Sequence, residues 1–151
     1  MDISKIDPAK LATFDKLMRA QAEEDWETFI SGWTGDFTQT VGDPEAQDVI
    51  PFFGKFSGFD EYKKCIEDYA NGHFKIVEYR VTEMYDMGDI TYGLGDATYI
   101  FEPTGEIIHS KHLLVSRFDG DKICEGRRWM ESIVYYKTFK KWQEAQNAAA
   151  S

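Results

Sequence analysis

The 151-residue sequence predicts an α+β domain, a cone-shaped, curved sheet of mixed or antiparallel strands wrapped around N-terminal helices. Three observations carry that expectation. Residues 8–33 place apolar side chains at three-to-four spacing, the period of a helix face. Residues 74–134 then change to four runs rich in Val, Ile, Tyr and Phe, each about a dozen residues long. Short polar turns at 86–89, 103–105 and 119–121 separate those runs, which makes a meander. Helices first and a long sheet afterwards is the α+β arrangement.

The elements follow in order. Residues 1–6 are expected to be a loose arm. Asp7 and Pro8 offer an N-cap and a first-turn proline, and Leu11, Phe14, Leu17 and Met18 line one helix stripe. A second short helix carries Trp26, Phe29, Ile30 and Trp33, and residues 37–41 read as a short strand. Asp43 before Pro44 is turn chemistry. Residues 49–56 read as a strand interrupted by Pro51, hence an edge or a bulged one. Phe59, Tyr62, Cys65, Ile66 and Tyr69 return to helical spacing, with Asn71-Gly72 as a left-handed stop. Glycines 93 and 95 suggest bends that curve the sheet. Residues 135–151 form a last helix and an alanine tail that frays. No linker or repeat divides the chain, so residues 1–151 are expected to be one domain.

Composition removes several function classes. Seventeen basic against 27 acidic residues leave a net charge of −10, which repels phosphate backbones and anionic lipid. Nucleic acid and membrane are therefore not expected as partners. No basic-then-apolar leader and no apolar run of about 20 residues is present, which points to a soluble, cytoplasmic protein. Cys65 and Cys124 are too few for a disulfide framework and read as reduced thiols.

Motifs for the commoner chemistries are missing. Gly54 and Gly58 enclose three residues with Lys55 inside. A phosphate loop needs four residues, then Lys and Ser or Thr after the second glycine. His109 and His112, three apart on a strand, point to opposite faces, and no metal-ligand spacing joins them to His73. There is no nucleophile elbow. What remains is general acid–base chemistry by side chains facing a pocket, which requires no motif.

Three stretches together resemble the nuclear transport factor 2-like superfamily, in its SnoaL-like and ketosteroid-isomerase-like branch. They are Glu24-Asp25-Trp26 running to Asp36-Phe37, Pro51-Phe52-Phe53-Gly54 with Gly58-Phe59-Asp60-Glu61, and Arg117-Phe118-Asp119-Gly120-Asp121-Lys122-Ile123. The resemblance implies a single SnoaL-like domain, a pocket that works without a cofactor, and a homodimer through the outer sheet face. It does not carry the isomerase's catalytic set, whose positions fall on Leu17, near Val41, and on Lys111. The dehydratase pair falls on Gln21 and Ala22, while the histidine after the third helix matches His73. Arg127 and Glu131 echo part of an epoxide-hydrolase set.

The same resemblance turns His109, Lys111 and Leu113 inward together with Gly126, Arg128 and Met130. On that reading His73 or His109 moves a proton, and Lys111 and Arg128 hold developing negative charge. Leu17, Trp26, Phe53, Tyr62, Leu113 and Met130 line the pocket. The function implied is a lyase or isomerase acting on a small, partly apolar substrate that two inward cations would suit to a carboxylate. The alternative is a non-catalytic ligand-binding or scaffolding homodimer. No metal site is expected.

Overall fold

Pro8 begins the first helix, α1 (Pro8–Ala22), where a missing N–H costs nothing. The structure, a computed structural model, describes residues 4–6, 8–70 and 72–151; the proposed cap Asp7 and the stop residue Asn71 lie outside them. Before α1, β1 (Ser4–Lys5) pairs antiparallel with Tyr85 and Asp86. The Ile6 N–H bonds the Met84 carbonyl at 3.0 Å, and the Ile6 side chain is buried. The expected loose arm at 1–6 is thus, in its described part, a sheet edge strand leading into the core.

Helix α2 (Trp26–Ile30) is capped by Asp25, whose carboxylate accepts from the Thr28 N–H at 3.1 Å. It ends earlier than the apolar spacing suggested, and β2 (Trp33–Val41) starts at Trp33 rather than near Phe37. The Asp43 carboxylate accepts from the Glu45 N–H at 3.0 Å, opening a 3-10 turn at Pro44–Ala46. The strand expected over 49–56 shortens to β3 (Gly54–Ser57). The Val49 and Ile50 N–H groups bond back to the Ala46 carbonyl at 3.0 and 2.8 Å, which holds that stretch in a turn. Helix α3 (Gly58–Ala70) then starts at Gly58, whose φ of 78° suits a residue without a Cβ.

The meander is present as β4 (Phe74–Asp86), β5 (Ile90–Phe101), β6 (Glu106–Asp119) and β7 (Lys122–Met130). The final helix, α4 (Ser132–Ala150), is longer than expected and includes the alanine tail. Among the described residues, seven strands lie in the order β1-β4-β5-β6-β7-β2-β3. All neighbours are antiparallel except β2 with β7, so the sheet is mixed, open and curved. Its concave side holds one aromatic-rich core with α1, α2 and α3, including Phe29, Phe37, Tyr62, Phe74 and Phe101. Among the described residues, no helix is long and apolar enough to cross a membrane.

Candidate functional site

Within this apolar interior lies a connected polar cluster, drawn from seven elements. β7 turns Gly126 and Arg128 inward, as expected, and Arg128 is 3% exposed. One Arg128 Nη donates to Gln21 Oε1 of α1 at 3.0 Å and approaches Met18 Sδ at 3.4 Å. Its guanidinium carbon sits 5.0 Å from the ring centroid of Tyr79 on β4. Gln21 Oε1 also accepts from the Tyr62 hydroxyl of α3 at 3.0 Å. Arg128 Nε and Gln21 Nε2 are buried with no hydrogen-bond partner.

His112 on β6, 2% exposed, continues the cluster. The Tyr79 hydroxyl lies 2.8 Å from its Nδ1. The hydroxyls of Tyr99 on β5 and Tyr135 on α4 lie 3.5 and 3.4 Å from its Nε2. Burial, joined by the Arg128 cation, pushes the imidazole well below its usual pKa. Burial also raises the phenols of Tyr62, Tyr79, Tyr99 and Tyr135. At neutral pH the cluster is therefore one guanidinium, a neutral imidazole and four protonated phenols. Gly95 makes this possible on β5: a Cβ there would come within 3.1 Å of the Tyr79 ring.

The inward orientation expected for His109, Lys111 and Leu113 is corrected by the strand register. On β6 it is Ile108, Ser110, His112, Leu114 and Ser116 that face the core, and the odd-numbered residues face out. Leu114, not Leu113, is paired opposite Arg128. Lys111, with its side chain 80% exposed, donates to Asp96 at 3.0 Å on the outer face. His109 is exposed and 3.2 Å from the Thr98 hydroxyl. That His109 and His112 take opposite faces agrees with their spacing.

The other expected site residues are distributed as follows. Tyr62 joins the polar cluster and stacks on Phe29, ring centroids 5.6 Å apart. Leu17 is core, its methyls filling the space that a Cβ on Gly32 would need. Phe53 is core beneath Gly42, and Trp26 packs edge-on to Phe29 and Phe59 at the periphery. Met130 is half-buried against the core. Arg127 and Glu131, the partial echo of another set, are outside it: Arg127 pairs with Glu125 at 3.2 Å, and Glu131 accepts from the Lys111 N–H at 3.0 Å.

His73 lies apart from the cluster, half-buried against Phe139 and Trp142 with ring centroids 5.0 and 5.2 Å away. Burial lowers its pKa. It lines an open cleft of about 520 Å³ with Phe52, Cys65 and Asp68. Burial pushes the Cys65 thiol up to about 12, so it is not a nucleophile at neutral pH. Phe52, with Phe74 and Tyr135 against it at 5.9 and 5.4 Å, stands between this cleft and the polar cluster. Among the described residues, no group of His, Cys, Asp and Glu could hold a metal ion.

Neither a family model nor a curated protein matches this sequence. Solved structures do match its shape. A nuclear transport factor 2-like protein of unknown function from Burkholderia pseudomallei is 18% identical, with 87% of this chain and 97% of that chain covered and a TM-score of 0.71. A Bacillus subtilis protein provisionally named an isomerase is 17% identical over 87% and 94% of the two chains, TM-score 0.70. A provisionally named SnoaL-like polyketide cyclase from Jannaschia sp. CCS1 is 14% identical over 89% and 94%, TM-score 0.67. These likenesses show that the chain, with its helices against a curved, open, mixed sheet, has a nuclear transport factor 2-like fold.

Proposed function

We propose that the chain is a cofactor-independent lyase or isomerase that moves a proton on a small, partly apolar organic molecule held inside the cone. The observation that carries this reading is His112, a neutral imidazole with a phenol against each ring nitrogen. A neutral imidazole accepts at one nitrogen and donates from the other, so it can take a proton from carbon and return one elsewhere. The phenols, held protonated by burial, are donors for an oxyanion formed on the way. The Arg128 cation lowers the energy of the same charge. His112 thus takes the proton-moving role first assigned to His73 or His109. The neighbours named an isomerase and a polyketide cyclase have the same fold and support the class of reaction.

Incubating the protein with a panel of small enones and β-dicarbonyl compounds in D2O tests this, with proton exchange read by NMR. At least one compound should exchange faster than in buffer, and His112→Gln should slow it by about 10²–10⁴-fold. Exchange at the buffer rate throughout the panel, or an undiminished rate in His112→Gln, would sink the reading.

A second reading, a non-catalytic ligand-binding or scaffolding homodimer, is favoured by the outer sheet face. Leu94, Ile107, Leu113 and Trp129 are all at least 38% exposed there. Leu113 and Trp129 line a shallow groove of about 390 Å³ with Tyr92 and Val115. Apolar patches on a strongly charged chain mark association surfaces. Sedimentation should show a dimer that Trp129→Glu converts to monomer; a monomeric parent protein would remove this face as the interface.

A further inference from the structure

Among the described residues, the buried guanidinium of Arg128 has no ion-pair partner. Among the described residues every ion pair uses a cation whose side chain is at least 36% exposed, and none includes Arg128. Arginine does not shed its proton inside proteins, so the charge is present in the resting state. Its contacts among the described residues are an amide oxygen that Tyr62 also uses, the protonated Tyr62 phenol, a thioether and an aromatic face. None of these carries a full negative charge. Burying a cation on those terms is unfavourable.

The same network has donors in excess. Gln21 Oε1 receives both Arg128 and Tyr62, which leaves Gln21 Nε2 without an acceptor, and Arg128 Nε has none either. A charge that develops only in a transition state cannot offset a cost present in every resting molecule. A ligand that arrives already anionic can.

We propose that Arg128 and Gln21 form the anchor for a carboxylate that the ligand carries in its ground state, so that the molecule bound in the cone is a small apolar or aromatic monocarboxylate. This rests on reading the cone interior as a small-molecule site, and deepens it by naming the ligand's charged end. A carboxylate presents acceptors only, which matches the surplus of N–H donors, and its geometry suits a guanidinium fork. One negative charge balances one guanidinium, whereas a phosphate dianion would leave one charge uncompensated, since Arg128 is the one fully buried cation among the described residues. The walls near the anchor, the Tyr79 ring and the Tyr62–Phe29 stack, favour a planar apolar body.

Thermal unfolding at constant ionic strength in an anion-poor buffer tests the proposal, with sodium benzoate, cyclohexanecarboxylate, neutral benzamide and inorganic phosphate as probes. The carboxylates should raise Tm in a dose-dependent way, and benzamide and phosphate should not, because only a ligand that prefers the folded state stabilises it. Arg128→Met should abolish the carboxylate shift while raising the Tm of the ligand-free protein by roughly 2–10 °C, since an apolar side chain replaces an unpaired buried charge. Gln21→Met should weaken the shift while keeping the cation, and serves if Arg128→Met does not fold. In the parent protein, the Arg128 Nε–H resonance should move on adding benzoate.

A carboxylate shift that survives in Arg128→Met, an equal shift with benzamide, a shift with phosphate alone, or no shift with any carboxylate would overturn the anchor. His112→Gln separates this result from the reaction proposed above. It should keep the carboxylate shift while losing exchange, so binding with no turnover in the parent protein condemns the reaction and leaves the anchor standing.

Discussion

Two cations on neighbouring strands, Lys111 of β6 and Arg128 of β7, are built into opposite surroundings. Lys111 stands on the outer face with Asp96 3.0 Å away and water around both. Arg128 is enclosed by Met18, Gln21, Tyr62 and Tyr79, with no carboxylate among its partners. In a chain with 27 acidic residues, pairing every cation would be easy. The acids are spent on exposed partners, where an ion pair adds little to stability. Among the described residues, the interior keeps one guanidinium without a carboxylate partner. The lesson is that visible ion pairs locate the solvated face of this sheet, whereas the buried cation without a carboxylate partner marks where the proposed anchor would lie.

The comparison depends on which face each β6 residue occupies, and the largest expected effect tests that directly. Leu114 is 6% exposed and opposite Arg128, while its neighbour Leu113 is 38% exposed on the outer face. Leu114→Lys would bury a second unpaired cation beside the first and should destabilise the fold by more than about 4 kcal/mol, enough to unfold it. Leu113→Lys should leave a folded chain. Circular dichroism and urea titration of the two variants decide the register; the reverse order of damage would turn the strand over.

Within the inner cluster, Tyr79→Phe comes next. It leaves the ring under Arg128 but removes the hydroxyl 2.8 Å from His112 Nδ1. A buried polar atom stranded in this way costs about 1–3 kcal/mol. Denaturant unfolding should show that loss, and a stability equal to the parent's would mean that the hydrogen bond contributes nothing.

The meander strands β4–β7 were legible in the sequence because each is long and each turn polar, whereas β1 was read as a loose arm and β3 as a longer strand. Facing was not. On β6 both faces carry apolar residues, Ile107, Leu113 and Val115 outside against Ile108 and Leu114 inside. An alternation that should identify the buried side is therefore nearly erased. On β4 the register shifts between Ile76 and Glu78 and again between Val81 and Glu83. Phe74 and Ile76 face inward, Tyr79 and Val81 follow at odd positions, and Met84 returns to even. Strict alternation from Phe74 would have put Tyr79 in solvent. The spacing of His109 and His112 requires opposite faces for the two rings, but it does not say which ring is buried, and the resemblance turned the wrong one inward. Arg128 was placed correctly through the resemblance, not through the Arg127-Arg128 pair itself, which is symmetric in composition.

Acid provides a smaller and graded effect on the inner face. Burial and the neighbouring Arg128 lower the His112 pKa in the folded chain, and burial lowers that of His73. In the unfolded chain both return to about 6.5. Below that pH the unfolded state binds more protons, so the stability present above about pH 6.5 is lost as the solution is acidified. A buried imidazole such as His112 accounts for up to about 1.4 kcal/mol per pH unit, and the more exposed His73 for less. The groups facing His112 are the phenols of Tyr79, Tyr99 and Tyr135 and the Arg128 guanidinium, none of which titrates between pH 5 and 7.5. Unfolding free energies at pH 7.5 and 5.0 should therefore differ less in His112→Phe than in the parent. Equal pH dependences would show that the imidazole is not held neutral by the fold.

The smallest effect belongs to the outer cation. Lys111→Ala removes the contact with Asp96, which in turn raises the lysine pKa through that hydrogen bond and charge. Both groups are in water, so the lost attraction is screened, and the freed side-chain entropy offsets part of it. No measurable change in Tm and none in carboxylate binding should follow. The expected contrast with Arg128→Met is one of sign as well as size: deleting the paired surface cation should leave stability where it was, while deleting the buried one should raise it and abolish the proposed binding. A Lys111→Ala variant that lost carboxylate binding would move the anion site to the outer face and reverse the roles of the two sides of the sheet.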